Sequence, residues 1–191
     1  MKSATIKLTF HPLDESRWHD FETLFGERGA CGGCWCMSWR LPKAEFEKNK
    51  GAGNKRQMKR LVKAGEPVGI IAYSGHQPVA WCSFAPREKY IRLEHSRVLK
   101  RYDDEPVWSI PCFFIAKEFR RKGLSAEILK GVIAYCRRNN VKILEAYPIY
   151  PYSSDMPAAF AWTGFVSLFR KAGFSVVKRW SKARPIMRCY L

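Results

Sequence analysis

Residues 107–138 read VWSIPCFFIAKEFRRKGLSAEILKGVIAYCRR and contain three successive patterns. The hydrophobic, β-prone run Val107 to Ala116 predicts a buried strand. A short basic turn follows. Ser125 to Arg138 then carries apolar residues at helical spacing, namely Ile128, Leu129, Val132, Ile133 and Cys136. The sequence therefore predicts a strand, a basic glycine-containing turn and an amphipathic helix.

Pro111 lies inside the predicted strand. Because proline has no amide hydrogen, it donates nothing to a strand ladder, so the strand must be an edge, contain a bulge or lose its pairing here. After the amphipathic helix, Val141 to Tyr147 predicts another strand. A strand-helix-strand crossover of this kind places its two strands parallel.

The rest of the chain predicts a mixed sheet. Two β-rich runs, Val68 to Ser74 and Val79 to Phe84, are separated by a short turn and predict an antiparallel hairpin. Ala158 to Ala172 predicts a helix that ends at Gly173. Further strands are predicted at Ile6 to Phe10, Phe174 to Ser181 and Arg184 to Tyr190. The expected class is α/β (α+β), with a mostly antiparallel central sheet flanked by helices.

The composition favours an intracellular protein with an anionic ligand. The length of 191 residues predicts one domain, 1–191. No apolar run is long enough for a signal peptide or a membrane span, so we expect a cytoplasmic protein with no membrane association. Seven cysteines without a disulfide pattern predict free thiols. A net charge of +17 attracts both nucleic acids and cofactors with several phosphates.

The basic turn has the properties of an anion site. Arg120-Arg121-Lys122-Gly123-Leu124-Ser125 lies where a strand ends and a helix begins. Unpaired amides and the positive end of the helix dipole meet at such a point. Gly123 has no side chain to obstruct a phosphate, and Ser125 could cap the helix or donate its hydroxyl to the ligand.

This turn resembles that of the GNAT acetyltransferases, whose central strand is followed by Gln or Arg, two variable residues, Gly, one variable residue, and Gly or Ala. Ser125 departs from the last position of that pattern. The run Phe169-Arg170-Lys171-Ala172-Gly173-Phe174 resembles a second family motif, and the likeness extends from about Val68 to the C-terminus. The resemblance implies a splayed parallel strand pair, acetyl-CoA as co-substrate, a cofactor-binding core at 67–191 and an acceptor side at 1–66.

The resemblance also implies roles for individual residues. The backbone of Phe113, Phe114 and Ile115 would bind the pantetheine arm, and the amide of Ile115 or its neighbour would stabilise the oxyanion. The cofactor pyrophosphate would bind the turn residues Arg120, Arg121, Lys122, Gly123, Leu124 and Ser125. The implied reaction is acetyl transfer from acetyl-CoA to a primary amine of a small molecule or peptide, by direct attack in a ternary complex.

The acid and base are less clearly indicated. Phe169 stands where relatives often carry a proton-donating Tyr. Tyr147, Tyr150 and Tyr152 are possible replacements, of which Tyr147 shares a strand face with Glu145. Otherwise the thiolate would leave to solvent. Glu145, a carboxylate in an apolar strand, is the candidate base, and a structural ion pair with an arginine is the alternative for it.

The segment Cys31-Gly32-Gly33-Cys34-Trp35-Cys36 is followed by no second pair of metal ligands, so we predict no metal site. Trp35, Met37 and Trp39 alternate as large apolar groups, which is typical of a pocket lining and also of core packing. Two other functions compete with acetyl transfer: a basic nucleic-acid-associated module, and a CoA-binding module without turnover. The oligomeric state is open, with a homodimer among the alternatives.

Overall fold

A computed structural model of the chain describes residues 7–151 and 161–191, which form a seven-stranded sheet with helices packed against it. The strands are β1 Thr9–Pro12, β2 Ile70–Ser74, β3 Gln77–Pro86, β4 Trp108–Ile115, β5 Ile143–Ala146, β6 Ser175–Lys178 and β7 Ile186–Tyr190. The helices are α1 Trp18–Phe25, α2 Lys43–Lys48, α3 Ala52–Lys63, α4 Ile91–Glu94, α5 Leu124–Arg138 and α6 Val166–Lys171.

The sheet has the order β1-β2-β3-β4-β5-β7-β6. Its neighbouring strands are antiparallel except for β4 and β5, which are parallel and are joined by α5. The predicted hairpin is β2 and β3, and the predicted terminal pair is β6 and β7. The structure therefore confirms the expected fold class.

Strand β4 is irregular at the predicted proline. Ser83 of β3 lies opposite Cys112, whereas Ala85 lies opposite Ser109, so the intervening Phe84 faces two residues of β4, Ile110 and Pro111. This is a β-bulge. Pairing with β5 ends at Ile110, although β4 continues to Ile115. The interruption predicted at Pro111 is thus confirmed.

The two faces of the sheet bury separate apolar clusters. On one face, α5 and α6 cover a cluster that contains Ile110 and Phe113 of β4. On the other face, α1, α3 and the loop after α1 cover a cluster centred on Trp81, against which Cys112 and Phe114 of β4 pack. A third, smaller cluster around Tyr90 and Tyr147 lies beneath α4. Strand β4 therefore contributes side chains to both sides of the core.

Several predicted boundaries were wrong. The apolar spacing of Trp18, Phe21, Leu24 and Phe25 predicts a helix capped by Ser16. Helix α1 instead begins at Trp18 and Ser16 does not cap it, because Asp14 accepts from the Arg17 amide at 3.1 Å and a separate short turn forms first. The helix predicted over Ala158 to Ala172 is present only as α6, since the segment 161–165 makes extended contacts described below. Residues 158–160, Ile6 and Tyr152 lie outside the described residues.

Gly69 and Gly75 give a matched test of the packing of β2 on β3. Both have positive φ, 148° and 60° respectively. A Cβ on Gly69 would lie 2.3 Å from the Cys82 carbonyl oxygen, whereas one on Gly75 would meet nothing within 4 Å. We expect Gly69→Ala to lower the free energy of unfolding by about 1–3 kcal/mol more than Gly75→Ala in urea denaturation. Equal losses would contradict this description of the packing.

Candidate functional site

The link between β4 and α5 holds several residues in unusual backbone conformations. A single helical turn at Lys117–Phe119 follows β4. Arg121 then has φ 60° and Gly123 has φ 77°, both in the left-handed region. Helix α5 begins at Leu124 with Gly123 as its N-cap, and no side chain caps it. Ser125 is the second helical residue, so the capping role suggested for it is wrong.

Five consecutive amides of this link are free among the described residues. The amides of Arg121, Lys122, Gly123, Leu124 and Ser125 donate to no described acceptor, and the first bonded amide is that of Ala126, 3.1 Å from the Gly123 carbonyl. Space is available as well, because nothing lies within 4 Å of the position that a Cβ on Gly123 would occupy. Free amides and the positive end of a 15-residue helix therefore face the same open region.

The cations of the turn are arranged around these amides. Arg121 and Lys122 are exposed. Arg120 is tethered, since its Nε donates to the Ile115 carbonyl at 2.8 Å and its guanidinium lies 5.9 Å from the Phe114 ring centroid. The turn is therefore electropositive and connected to the end of β4, as a pyrophosphate site requires.

Beyond Pro111, one edge of β4 is free of β5. The Ala116 amide donates to Val79 of β3 at 3.0 Å. Because donors alternate along an antiparallel ladder, the amides of Phe113 and Ile115 must point the other way, toward β5. Since pairing with β5 ends at Ile110, these two amides face the space between the diverging strands.

The segment 161–165 enters part of this space. The Trp162 carbonyl accepts from the Phe113 amide at 2.7 Å, and the Gly164 carbonyl accepts from the Ile149 amide at 3.0 Å. Ile149 also bridges Phe165. Within the described residues, the Ile115 amide has no acceptor. The gap between β4 and β5 is therefore bridged at Phe113 and open at Ile115.

Glu145 and Tyr147 belong to a buried polar network. One oxygen of Glu145 accepts from Arg87 at 2.7 Å and from the Tyr147 hydroxyl at 2.7 Å, and the other accepts from Arg188 at 2.8 Å. The Tyr147 hydroxyl also lies 2.6 Å from the Ser109 hydroxyl. Burial, reinforced by the Glu145 charge, raises the pKa of Tyr147 well above its usual range, so its hydroxyl keeps its proton. Arg87, Glu145 and Arg188 are each 1% exposed.

The outer members of the network hold the two arginines. Arg87 donates to Glu94 at 2.8 Å and to the carbonyls of Leu93 and Leu99 at 3.2 and 2.6 Å. Arg188 makes a two-pronged contact with Asp103, both distances being 2.7 Å. Every oxygen of Glu145 thus faces a cation or a hydroxyl. This geometry matches the ion-pair alternative for Glu145.

The aromatic candidates for the acceptor side separate into two groups. Trp35 and Met37 are 3% and 2% exposed and lie inside the cluster around Trp81. Trp39 is half-buried, and its ring centroid lies 5.7 Å from that of Trp162. Because the Trp162 carbonyl bonds to Phe113, Trp39 is the member of the predicted trio that lies beside the gap.

Sequence reasoning missed Trp162 and Arg87. Neither carried a local signal, because the role of each depends on a partner distant in the chain, Phe113 for Trp162 and Glu145 for Arg87. In the described residues there is no group of three or more His, Cys, Asp or Glu side chains placed to hold a metal ion. None of the helices described is both long and apolar enough to cross a bilayer.

The fold and the turn define a protein with the architecture of an acetyltransferase. Residues 35–165, more than half of the chain, match the model of the acetyltransferase (GNAT) family. The chain therefore belongs to this family.

Three solved structures with the same fold are similar to this chain at low sequence identity. An uncharacterized protein from Bacillus halodurans is 14% identical, with a TM-score of 0.57 over 96% of this chain and 83% of that one. The PaiA N-acetyltransferase from Thermoplasma acidophilum, in complex with coenzyme A, is 10% identical, with a TM-score of 0.52 over 97% and 99%. YncA, a putative acetyltransferase from Salmonella typhimurium with acetyl-CoA, is 13% identical, with a TM-score of 0.51 over 96% and 94%. At these identities the likeness concerns the fold.

Glu145→Gln tests whether the buried network stabilises the protein. Removing this charge leaves Arg87 and Arg188 without their shared partner, so we expect the free energy of unfolding to fall by about 3–5 kcal/mol in urea denaturation. Glu127→Gln is the matched control, because Glu127 pairs with Lys130 in a contact whose side chains are 47% and 69% exposed. That change should cost about 0–1 kcal/mol. A Glu145→Gln variant as stable as the wild type would contradict the structural role.

Proposed function

We propose that the protein is an N-acetyltransferase that transfers an acetyl group from acetyl-CoA to a primary amine by direct attack in a ternary complex. The observation that carries the proposal is that two groups of backbone amides without acceptors follow one another along the chain. In the part of the chain that the structure describes, the amides of residues 121–125 have no acceptor at the start of α5, and the Ile115 amide has none at the adjoining edge of β4. Two of the structures that share the fold contain coenzyme A or acetyl-CoA.

The cofactor has two places to bind. The pyrophosphate would accept hydrogen bonds from the turn amides, with Arg121 and Lys122 neutralising its charge. The pantetheine arm would lie along the free edge of β4, as an added strand would, and bring the thioester carbonyl to the Ile115 amide. Phe113 and Phe114 would flank the arm, since their side chains point to opposite faces of the sheet.

The acceptor would approach from the side of the N-terminal part, 1–66. Trp39 and Trp162 offer an aromatic surface beside the gap. Arg92 lies 5.5 Å from the Trp39 ring centroid, and the nearby carboxylate of Glu145 is already paired. Because a polycation would meet this local positive charge as well as the net charge of +17, small amines and peptide amines are the favoured acceptors.

In the reaction, the neutral amine nitrogen attacks the thioester carbonyl, a C–N bond forms, and the C–S bond breaks with release of the CoA thiolate. The oxyanion of the tetrahedral intermediate would be stabilised by the Ile115 amide. The amine proton would pass to water, and the thiolate would leave to solvent or take a proton there. Glu145 and Tyr147 then act as positioning residues, which hold β5 against β4 where the gap begins.

A pH profile separates this role from that of a general base. If Glu145 removed the acceptor proton, Glu145→Gln would eliminate the acidic limb of the kcat/KM profile. We expect the folded Glu145→Gln protein to keep the acidic limb. The variant should lose only stability and yield of folded protein. Its disappearance in folded Glu145→Gln protein would restore Glu145 as the base.

A CoA-binding module without turnover is the second candidate. Phe169 has no hydroxyl and is fully buried, and the Phe113 amide is engaged by the Trp162 carbonyl. Both facts favour cofactor binding without acetyl transfer. The two functions are separated by incubating the protein with acetyl-CoA and an amine, removing the protein by filtration, and measuring free CoA thiol in the filtrate with a thiol reagent. An acetyltransferase releases the thiol, and a binding module does not.

Gly123→Glu tests the cofactor site, and Gly75→Glu is its matched control. Both glycines have positive φ, 77° and 60°, and neither has an atom within 4 Å of an added Cβ. The two variants therefore share backbone strain and charge change. The Glu carboxylate in Gly123→Glu would repel the cofactor pyrophosphate. Two like charges 4 Å apart cost about 4 kcal/mol at an effective dielectric constant of about 20, which is roughly a thousandfold in affinity. Even a partial effect should therefore weaken acetyl-CoA binding by more than about tenfold.

The measurement is the rise in melting temperature with acetyl-CoA and with desulfo-CoA, which a ligand of the folded state must produce. We expect both to stabilise the wild type and Gly75→Glu, and neither to stabilise Gly123→Glu at the same concentration. Equal stabilisation of the two variants would disprove the proposed pyrophosphate site. A salt-sensitive interaction with oligonucleotides and no response to acetyl-CoA would favour the nucleic-acid alternative.

A further inference from the structure

Three of the seven cysteines lie together on the face of the sheet away from α5. Cys34 and Cys36 belong to the loop after α1, and Cys112 belongs to β4. All three contact the apolar cluster around Trp81. No disulfide joins them, since all seven cysteines of the chain are free thiols. The proposed acetyl transfer uses none of them.

Cys36 is aimed at the sheet. Its Sγ accepts from the Trp81 indole Nε1 at 3.1 Å. Trp81 and Ser83 are two residues apart on β3 and share a face, and Ser83 lies directly opposite Cys112 in the pairing of β3 with β4. Directly opposed residues have Cβ atoms about 5 Å apart. The Cys36 and Cys112 side chains therefore lie on the same face of the sheet, beside Trp81 and Ser83.

The backbone of the loop that carries Cys36 is strained. Ala30, Trp35 and Cys36 have φ of 65°, 43° and 59°, in a region that residues other than glycine rarely adopt. Two contacts hold the loop in this conformation: the Gly51 amide donates to the Gly33 carbonyl at 2.9 Å, and buried Asn54 donates to the same carbonyl at 3.2 Å. The strained conformation is thus fixed by its surroundings.

The surroundings of Cys36 favour its thiolate. Hydrogen bonds from Cys112, Trp81 and Ser83, together with the positive charge of Arg40, outweigh burial and lower the pKa of Cys36 to about 7. The hydrogen bond with Cys36, together with burial, raises the pKa of Cys112 well above its usual range, and burial raises that of Cys34 to about 11. One thiolate beside one thiol is the arrangement that reactive cysteine pairs share. Cys36 is 6% exposed and Cys112 is half-buried, so a small oxidant can approach from the Cys112 side.

We propose that Cys36 and Cys112 form a reversible disulfide when the protein meets a small hydroperoxide, independently of the proposed acetyl transfer. The Cys36 thiolate attacks one oxygen of the peroxide, the O–O bond breaks, and a sulfenic acid and hydroxide result. The Cys112 sulfur then attacks the sulfenic sulfur, an S–S bond forms, and water leaves with the Cys112 proton. Overall, two thiols and one hydrogen peroxide give one disulfide and two waters, and a dithiol reductant restores the thiols.

The test is peptide mapping of the full chain after treatment with hydrogen peroxide. We expect the intact mass to fall by two hydrogen atoms, a cross-linked peptide pair that contains Cys36 and Cys112, and full reversal by a dithiol. The rate of disulfide formation should rise through about pH 7 and level off above it. An ordinary thiol would still be gaining reactivity at pH 8.5.

Variants provide the controls. Cys36→Ser and Cys112→Ser should each lose the cross-link completely, whereas Cys31→Ser, which removes the exposed thiol of the same loop, should keep it. The wild-type map decides the question even if a serine variant fails to fold. The proposal is overturned if peroxide oxidises Cys31 and leaves Cys36 and Cys112 as thiols, or if the mapped disulfide joins any other pair.

Discussion

The structure depends on the loss of pairing between β4 and β5 beyond Ile110. Pro111 has no amide hydrogen, and β3 passes this point with one residue fewer than β4. A strand that bulges here bends away from its parallel neighbour, and the edge amides of Phe113 and Ile115 lose the partners that a continuous ladder would supply. Because α5 starts shortly after the same strand, its free amides continue the line of donors. One local defect therefore opens the gap that leads to the proposed pyrophosphate turn.

The strands beside the gap must be held firmly together where they are still paired, and the buried polar network holds them. Ser109 and Glu145 are one of only three residue pairs that join β4 to β5. Glu145 also lies opposite Arg188 in the pairing of β5 with β7. Tyr147 donates to Glu145 and accepts from Ser109, and Arg188 donates to Glu145. These bonds tie together β4, β5 and β7 beside the point of divergence. Buried charges are costly unless fully paired, so this arrangement resists partial opening.

Local sequence signals predicted the fold and the basic turn between β4 and α5 well. Strand β4, helix α5 and the parallel crossover each depend on residues close together in the chain, where hydrophobic period and turn chemistry are informative. Pro111 predicted the interruption for a reason that is intrinsic to one residue. The positions of β5 and β7 also followed from short β-rich runs.

Other features could not be read from the sequence because they depend on distant partners. A helical period through residues 158–172 does not show that the Trp162 carbonyl will bond to Phe113. Likewise, alternation at Trp35, Met37 and Trp39 cannot distinguish core packing from a pocket lining; the structure buries Trp35 and Met37 and leaves Trp39 half-buried against Trp162. For Glu145 the sequence left both a base and an ion pair open, because it does not show that Arg87, 58 positions away, lies against it. Charge pairing across a sheet is a tertiary property.

The alternation of side chains along β4 connects the two features that lie beside the gap. Cys112 points toward the loop after α1, and the next residue, Phe113, points toward α6 while its amide faces the space between β4 and β5. Strand β4 therefore faces the gap with its backbone and the cluster around Trp81 with alternate side chains. Of the two amides on this edge, that of Phe113 is already bonded to the Trp162 carbonyl, so that of Ile115 is the one without an acceptor in the described part of the chain.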